Sequence, residues 1–250
     1  MELRAIALEG LPRIRPGDDL AAIIGDALSA AGLVPAAQDV LVVAQKVVSK
    51  AEGRLVRLDD VVPSAQAVEL AGTTGKDPRL VEVILAESRR VVRARFNVLI
   101  VQHRLGYVMA NAGVDQSNLD SPGTALLLPR DPDASAAMLR TGLAARFGAA
   151  PGVIVSDSFG RAWRRGSIGT AIGVAGLPAL LDFRGEPDLS GRRMEVTVTG
   201  FADQIASAAA LLTGEGAEGR PVVLMRGLAW SQPDSNAMAL IRQAEEDLFL

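Results

Sequence analysis

Val153-Ile154-Val155-Ser156-Asp157-Ser158-Phe159-Gly160-Arg161 is the stretch on which the reading of the fold turns. Three β-branched residues in a row, Val153 to Val155, favour a strand over a helix because their χ1 freedom is already restricted. The run then stops in an aspartate between two hydroxyls, followed by a glycine. A buried strand therefore hands over to a polar loop. Asp39 to Ala44, Val98 to Gln102, Tyr107 to Ala110, Glu195 to Thr199 and Val222 to Met225 read as further strands.

Helical periods separate these runs. A first helix opens at Asp18 after the Pro16-Gly17 turn and carries Leu20, Ile23, Ile24, Ala27 and Leu28 on one face. Asp77-Pro78 starts a second, since aspartate caps free amides and proline fits a first turn. Others are expected over Ala134 to Phe147, Asp203 to Leu212 and Ser235 to Leu248. The class is thus α/β, of the mixed α+β kind. The element order is not a clean βαβ series, so a Rossmann fold is not expected. A composition shift at Asp131 to Asp133 is a candidate hinge between two subdomains.

The chain has 250 residues, a formal net charge of -3, no cysteine and a single histidine. Disulfide scaffolds, thiol nucleophiles and cysteine zinc sites are excluded. A histidine cluster is excluded too, and His103, between a strand and the Gly106 turn, reads as structural or surface-exposed. Mixed charges and an aromatic content of 4% give no sign of a nucleic-acid partner. Early charges at Glu2 and Arg4 argue against a secretory signal. The longest uncharged stretch, Gly166 to Leu181, falls about four residues short of a membrane span, and its glycines and Pro178 read as turn-rich. A cytoplasmic protein without a membrane partner is expected, with catalysis resting on carboxylates and metals.

Four segments could carry such chemistry. Asn111-Ala112-Gly113-Val114-Asp115-Gln116-Ser117-Asn118 places one acid at a strand end, where a hard cation could bind or a simple Asx turn could form. Asp157 and Ser158 repeat that arrangement, and two such acids could share a divalent cation. Arg161, Arg164 and Arg165 follow at nearly helical spacing, suited to phosphate or carboxylate groups or to a solvated surface. Lys46 and Lys50, two of only three lysines, flank Ser49 just after a strand and could meet a phosphate. Gly214, Gly216 and Gly219 spell G-x-G-x-x-G, but a helix precedes them and a strand follows, opposite to the dinucleotide fingerprint. A helix carboxyl cap with Gly214 in the left-handed region is the local alternative.

Together these segments resemble the coenzyme F420-0:L-glutamate ligases, the gamma-glutamyl ligases of deazaflavin coenzyme biosynthesis. The resemblance runs through Leu8-Glu9-Gly10-Leu11-Pro12, Pro16-Gly17-Asp18-Asp19-Leu20 and Val48-Ser49-Lys50-Ala51-Glu52-Gly53-Arg54. It continues in Asn111 to Asp115 with Ser117-Asn118, Leu126 to Pro129, Asp131-Pro132-Asp133, Asp157 to Arg161 with Arg164-Arg165-Gly166, Gly169 to Gly176, Ala202-Asp203 and Gly214-Glu215-Gly216. Each motif is weak alone. Their joint order and spacing are specific.

The resemblance implies a distinctive two-domain α/β ligase unit over residues 1-250, assembling as a homodimer. Some relatives continue into a nitroreductase-like domain, and none is expected here. It further implies a GTP-dependent ligase that adds L-glutamate to coenzyme F420-0, first at the lactyl carboxylate and then through gamma-linkages, via an acyl phosphate. The cofactors implied are two divalent cations, Mg2+ or Mn2+, and K+. Asp115 and Asp157 would hold the first cation, Ser158 and Glu215 the second. GTP would contact Glu9, Gly10, Leu11, Pro12, Ala44, Gln45, Ser49, Asn118 and the segment Thr213, Gly214, Glu215, Gly216, Ala217, Glu218, Gly219, Arg220. Two rivals stay open: a metal-dependent phosphohydrolase using the same aspartates, and a nucleotide-binding regulatory module without catalysis.

Overall fold

The computed structural model describes residues 2–119 and 121–247. Its strands are β1 (Arg4–Ala7), β2 (Val40–Ala44), β3 (Leu55–Arg57), β4 (Ser88–Arg95), β5 (Val98–His103), β6 (Val108–Ala110), β7 (Thr124–Leu126), β8 (Gly152–Arg161), β9 (Arg164–Ala175), β10 (Leu181–Asp182), β11 (Val198–Thr199) and β12 (Val222–Arg226). Its α-helices are α1 (Leu20–Ala30), α2 (Gln45–Ala51), α3 (Ala65–Thr74), α4 (Pro78–Ala86), α5 (Pro132–Phe147) and α6 (Phe201–Thr213). The class is mixed α/β, as expected.

One five-stranded sheet, in the order β1-β12-β2-β8-β9, organises the larger part of the chain. Alternation along its strands explains the layers. Leu41, Val43, Val153, Val155 and Leu224 face one way and pack with Leu20, Ile24 and Leu28 of α1 and Leu139 and Leu143 of α5. Val40, Val42, Ile154, Val223 and Met225 face the other way, onto Phe201, Ala202, Ile205, Ala206 and Ala209 of α6. With both faces covered, β2, β8 and β12 had to be apolar throughout, which is why they were legible. A separate core joins α3 and α4 to the three-stranded sheet β4-β5-β6 through Val81, Ile84, Leu99 and Val101.

Helix starts follow their caps. The Asp19 carboxylate accepts the Ala22 N–H at 3.0 Å, Asp77 the Arg79 N–H at 2.8 Å and Asp131 the Ala134 N–H at 3.0 Å. Pro78 and Pro132 occupy the first turns of α4 and α5.

Four expectations are corrected. Gly166 to Leu181 is not turn-rich: most of it lies in β9, paired along its length with β8. Its glycines mark close approaches, since a Cβ at Gly169 would strike the Ala206 carbonyl of α6 and one at Gly173 the Pro132 carbonyl of α5. The apolar run Val153 to Val155 does not hand over to a loop: β8 continues to Arg161 and turns at a β-hairpin tip that carries Arg161, Arg164 and Arg165, with Arg161 paired to Arg164. Ser235 to Leu248 forms no α-helix among the described residues, which leave Leu248 outside. It holds two short 3-10 turns, Ala237–Leu240 and Ala244–Glu246. Ala237 is anchored in the α6-side core and donates its N–H to Asp133 at 2.9 Å, while Ile241 packs on the opposite core, so the chain must extend between them. The expected strand Glu195 to Thr199 is reduced to its last two residues. Among the described residues no helix is long and apolar enough to cross a membrane.

Candidate active site

β2 and β8 are the parallel neighbours of the sheet, and their carboxyl ends open into a cleft of about 450 Å3. Such ends are where loops in α/β sheets leave room for ligands. Four parts of the chain meet there: Leu11 to Ile14 after β1, Ala44 to Val47 with Lys50 where β2 turns into α2, Ser156 to Ser158 on β8, and Thr213 to Ala217 with Gly219 to Pro221 after α6. Asn118 closes the rim.

The two aspartates arrive from different units. Asp115 follows β6 and a 3-10 turn in which Asn111, Ala112 and Gly113 all have positive φ, near 53°, 53° and 66°. Non-glycine residues in that region carry strain, which structures retain mainly where a site needs it. Its Oδ1 accepts the Ser117 N–H at 2.6 Å, so the Asx turn is present. Its Oδ2 lies 2.5 Å from Lys46 Nζ, which also donates to Ser117 Oγ at 2.7 Å. Burial would raise the Asp115 carboxyl, but the Lys46 ammonium and the Ser117 amide outweigh it and hold it below the ordinary carboxylate range.

Asp157 behaves in the opposite way. Burial pushes its carboxyl up to about 7, and the Asp115 charge adds to the rise against the Ser158 amide and Lys46. Lys46 is ion-paired with Asp115 and acts on Asp157 only through its charge, so ionising both acids leaves one negative charge poorly compensated. One residue on, Ser158 Oγ donates to Glu215 at 2.7 and 2.9 Å, and Ser167 Oγ lies 3.4 Å from the same carboxylate.

Glu215 sits in the glycine loop. Gly214 ends α6 by donating its N–H to Ala210 O at 3.0 Å, which is the cap expected. Its backbone, φ 72° and ψ 178°, is not left-handed helical, however, but lies in a region essentially open to glycine alone. That turn sends the loop across the cleft mouth rather than back along the helix. Glu218 folds over it, accepting the Gly216 N–H at 2.8 Å.

Leu11, Pro12, Ala44, Gln45, Lys46, Lys50, Asn118, Asp157, Ser158, Thr213 to Ala217, Gly219 and Arg220 are thus brought to one cleft. Glu9, Gly10, Ser49, Glu218, Arg161, Arg164 and Arg165 are not on its lining, and Asp115 borders it through Lys46. Ser49 is fully buried and its hydroxyl donates to Gln45 Oε1 at 2.9 Å, so its direct reach is to Gln45. Lys50 Nζ donates to Asn118 O at 2.9 Å. Ile14 and Val47 also line the cleft and carried no sequence signal, being ordinary apolar residues, whereas Ser156 and Gly169, which line it too, lie in stretches the sequence singled out. His103 is fully buried, accepts the Leu105 N–H at its Nδ1, 2.9 Å, and stands 3.5 Å from Glu87, away from the cleft.

The F420-0:Gamma-glutamyl ligase family model matches residues 10–227, most of the chain. The chain belongs to this family. It is 43% identical to the coenzyme F420:L-glutamate ligase of Methanothermobacter thermautotrophicus over 100% of this chain and 99% of the relative. Identity is 44% to the protein of that name from Methanopyrus kandleri and 43% to that from Archaeoglobus fulgidus, each over 99% of this chain.

For a gamma-glutamyl ligase family member, the donor set is hard and oxygen-based, which fits magnesium or manganese. The uncompensated Asp157 beside Asp115 is what a divalent cation would neutralise, and Ser158 with Glu215 offers oxygens nearby. Among the described residues no three His, Cys, Asp or Glu side chains converge on one point. Each pair would therefore need phosphate and water oxygens to complete a coordination shell.

Proposed function

We propose that this chain is a GTP-dependent ligase that joins L-glutamate to coenzyme F420-0, giving GDP and phosphate, and then extends the product through gamma-glutamyl linkages. One observation carries the reading: a glycine loop, two lysines and two oxygen-donor pairs border one cleft at the parallel strand ends, in a chain colinear with relatives bearing that name.

Chemically, the bond from the γ-phosphorus to its bridging oxygen breaks as an acceptor carboxylate oxygen takes the phosphoryl group. The glutamate amine then attacks the acyl carbonyl, phosphate leaves and the nitrogen gives up a proton. Phosphoryl transfer demands positioning and charge neutralisation more than a histidine or thiol. Asp115 with Asp157, and Ser158 with Glu215, would hold two divalent cations, which when bound offset charge on the phosphate oxygens. Lys46 and Lys50 supply further positive charge, the backbone amides of Glu215 and Ala217 in the glycine loop can meet phosphate while those of Gly214 and Gly216 are held by Ala210 and Glu218, and Leu11, Pro12 and Ile14 limit water that would hydrolyse the acyl phosphate. A potassium requirement, a homodimer and a cytoplasmic setting belong to the same proposal.

The test supplies purified protein with GTP, coenzyme F420-0, L-glutamate, Mg2+ or Mn2+ and K+, and weighs the products by mass spectrometry. One GDP per added glutamyl residue is expected. Steady GDP release without an amide would favour a phosphohydrolase, and nucleotide binding without turnover a regulatory module.

A further inference from the structure

Lys46 and Lys50 stand one turn apart on α2, and both reach across to the loop that carries Asp115, but their partners differ. Lys50 Nζ donates to a neutral carbonyl, Asn118 O, at 2.9 Å. Lys46 Nζ lies 2.5 Å from Asp115 Oδ2 and donates to Ser117 Oγ at 2.7 Å, so it occupies a carboxylate oxygen that the ligase reading assigns to a divalent cation. The needs of the helix do not account for this ammonium. Lys46 is in the first turn of α2, where positive charge is disfavoured, and that turn holds no acid.

Asp115 does not depend on Lys46 for its place. Its Oδ1 accepts the Ser117 N–H at 2.6 Å, its own N–H donates to Leu126 O at 3.0 Å, and its carbonyl accepts the Leu126 N–H at 2.8 Å. Those three bonds anchor the residue and leave Oδ2 to Lys46. The ion pair is also easy to part, because the two side chains are 30% and 32% exposed and exposed pairs are weak. One positive charge, moreover, does not balance two carboxylates, whereas a divalent cation does. The flexible four-carbon stem of Lys46 lets its ammonium turn into the cleft that it already lines.

Resting on the ligase reading, we infer that Lys46 is an exchangeable counter-ion. Its ammonium holds Asp115 Oδ2 until a divalent cation takes that oxygen, and it then turns into the cleft to meet a phosphate of the nucleotide. Asp115 keeps its place throughout. Lys50, whose partner is a carbonyl, takes no part in the exchange.

The experiment acetylates the native protein with acetic anhydride and follows each of its three lysines by mass spectrometry. Mn2+ alone should raise the acetylation of Lys46 about fivefold or more, and Mn2+ with a non-hydrolysable GTP analogue should lower it again. Lys76, just ahead of α4 and not on the cleft lining, should not respond. In Lys46→Met, with circular dichroism to check folding, the Kd for Mn2+ alone, read by electron paramagnetic resonance of the free ion, should fall about fivefold or more. KM for GTP should rise about tenfold in the same variant, as a charge-assisted hydrogen bond to phosphate is lost. Acetylation of Lys46 that ignores Mn2+, or a Kd for Mn2+ that is unchanged or raised in Lys46→Met, would overturn the exchange and leave Lys46 a fixed support of Asp115. Lys46 that stays reactive with the analogue bound would remove phosphate as its second partner. Labelling uses the native chain, so it decides the question even where Lys46→Met fails to fold. Absence of amide formation by the native protein would instead defeat the ligase reading, while release of Lys46 by Mn2+ would still support the exchange at Asp115.

Discussion

At the scale of single residues, the site depends on two carboxylates whose proton affinities are pushed in opposite directions. Asp115 is kept ionised by Lys46, whereas Asp157 is raised to about 7 by burial and by Asp115. Asparagine matches aspartate in shape, so Asp115→Asn and Asp157→Asn should both fold, the first somewhat less stable without its ion pair to Lys46 and the second no less stable without its buried charge, yet both should lose turnover by roughly a hundredfold or more. GDP release measured beside thermal unfolding checks this, and near-native rates in both variants would remove the cation assignment. Gly214 makes a second case. Its backbone angles are closed to any residue with a Cβ, and that atom would also run into Glu218. Gly214→Ala should cost about 1–3 kcal/mol in urea denaturation and raise KM for GTP. These residues were legible because each breaks a local pattern: an acid at the end of an apolar run, or a glycine behind a helix. Ile14 and Val47 were not, since nothing distinguishes a cleft-lining apolar residue from a core one until the chain is folded.

Among the elements, the end of α4 and the β5–β6 turn are joined by one carboxylate. Glu87 meets Arg54 Nη2 at 2.9 Å and Arg104 Nε at 3.0 Å, with His103 at 3.5 Å. Burial opposes its ionisation, but His103 and the two arginines prevail and hold it at about 2, against 4.5 for the free side chain. A depressed folded-state value stabilises the protein above the unfolded value and loses that effect as pH falls. The contribution, about 3 kcal/mol, is therefore complete above pH 4.5 and gone once pH drops through 2. Glu87→Gln should lower the urea midpoint at neutral pH and flatten its decline between those limits; an equally steep decline in the variant would refute this. β9 shows why some elements escaped the sequence. Glycines read as turns, yet at Gly169 and Gly173 they admit helix backbones against a strand. Gly169→Ala should cost about 1–3 kcal/mol through the clash with the Ala206 carbonyl, seen as a lower thermal midpoint.

For the whole molecule, one sheet with helices on both faces supports the cleft, and a second core delivers Asp115 to it. Ile154 is fully buried beneath α6, three residues before Asp157. Ile154→Ala should destabilise the protein by about 2–5 kcal/mol, measured by denaturant unfolding. What the sequence determined by itself was the class and the chemistries that are excluded. Without cysteine and with a single histidine, thiol chemistry and imidazole clusters are excluded, and continuous apolar runs announced strands buried on both faces. Only the tertiary structure decided the meeting of Asp115 with Lys46 and Asp157, and of Glu215 with Ser158. Local patterns fix the period and ends of an element, but contacts between residues far apart in the chain depend on strand order and packing, which no short stretch of sequence encodes.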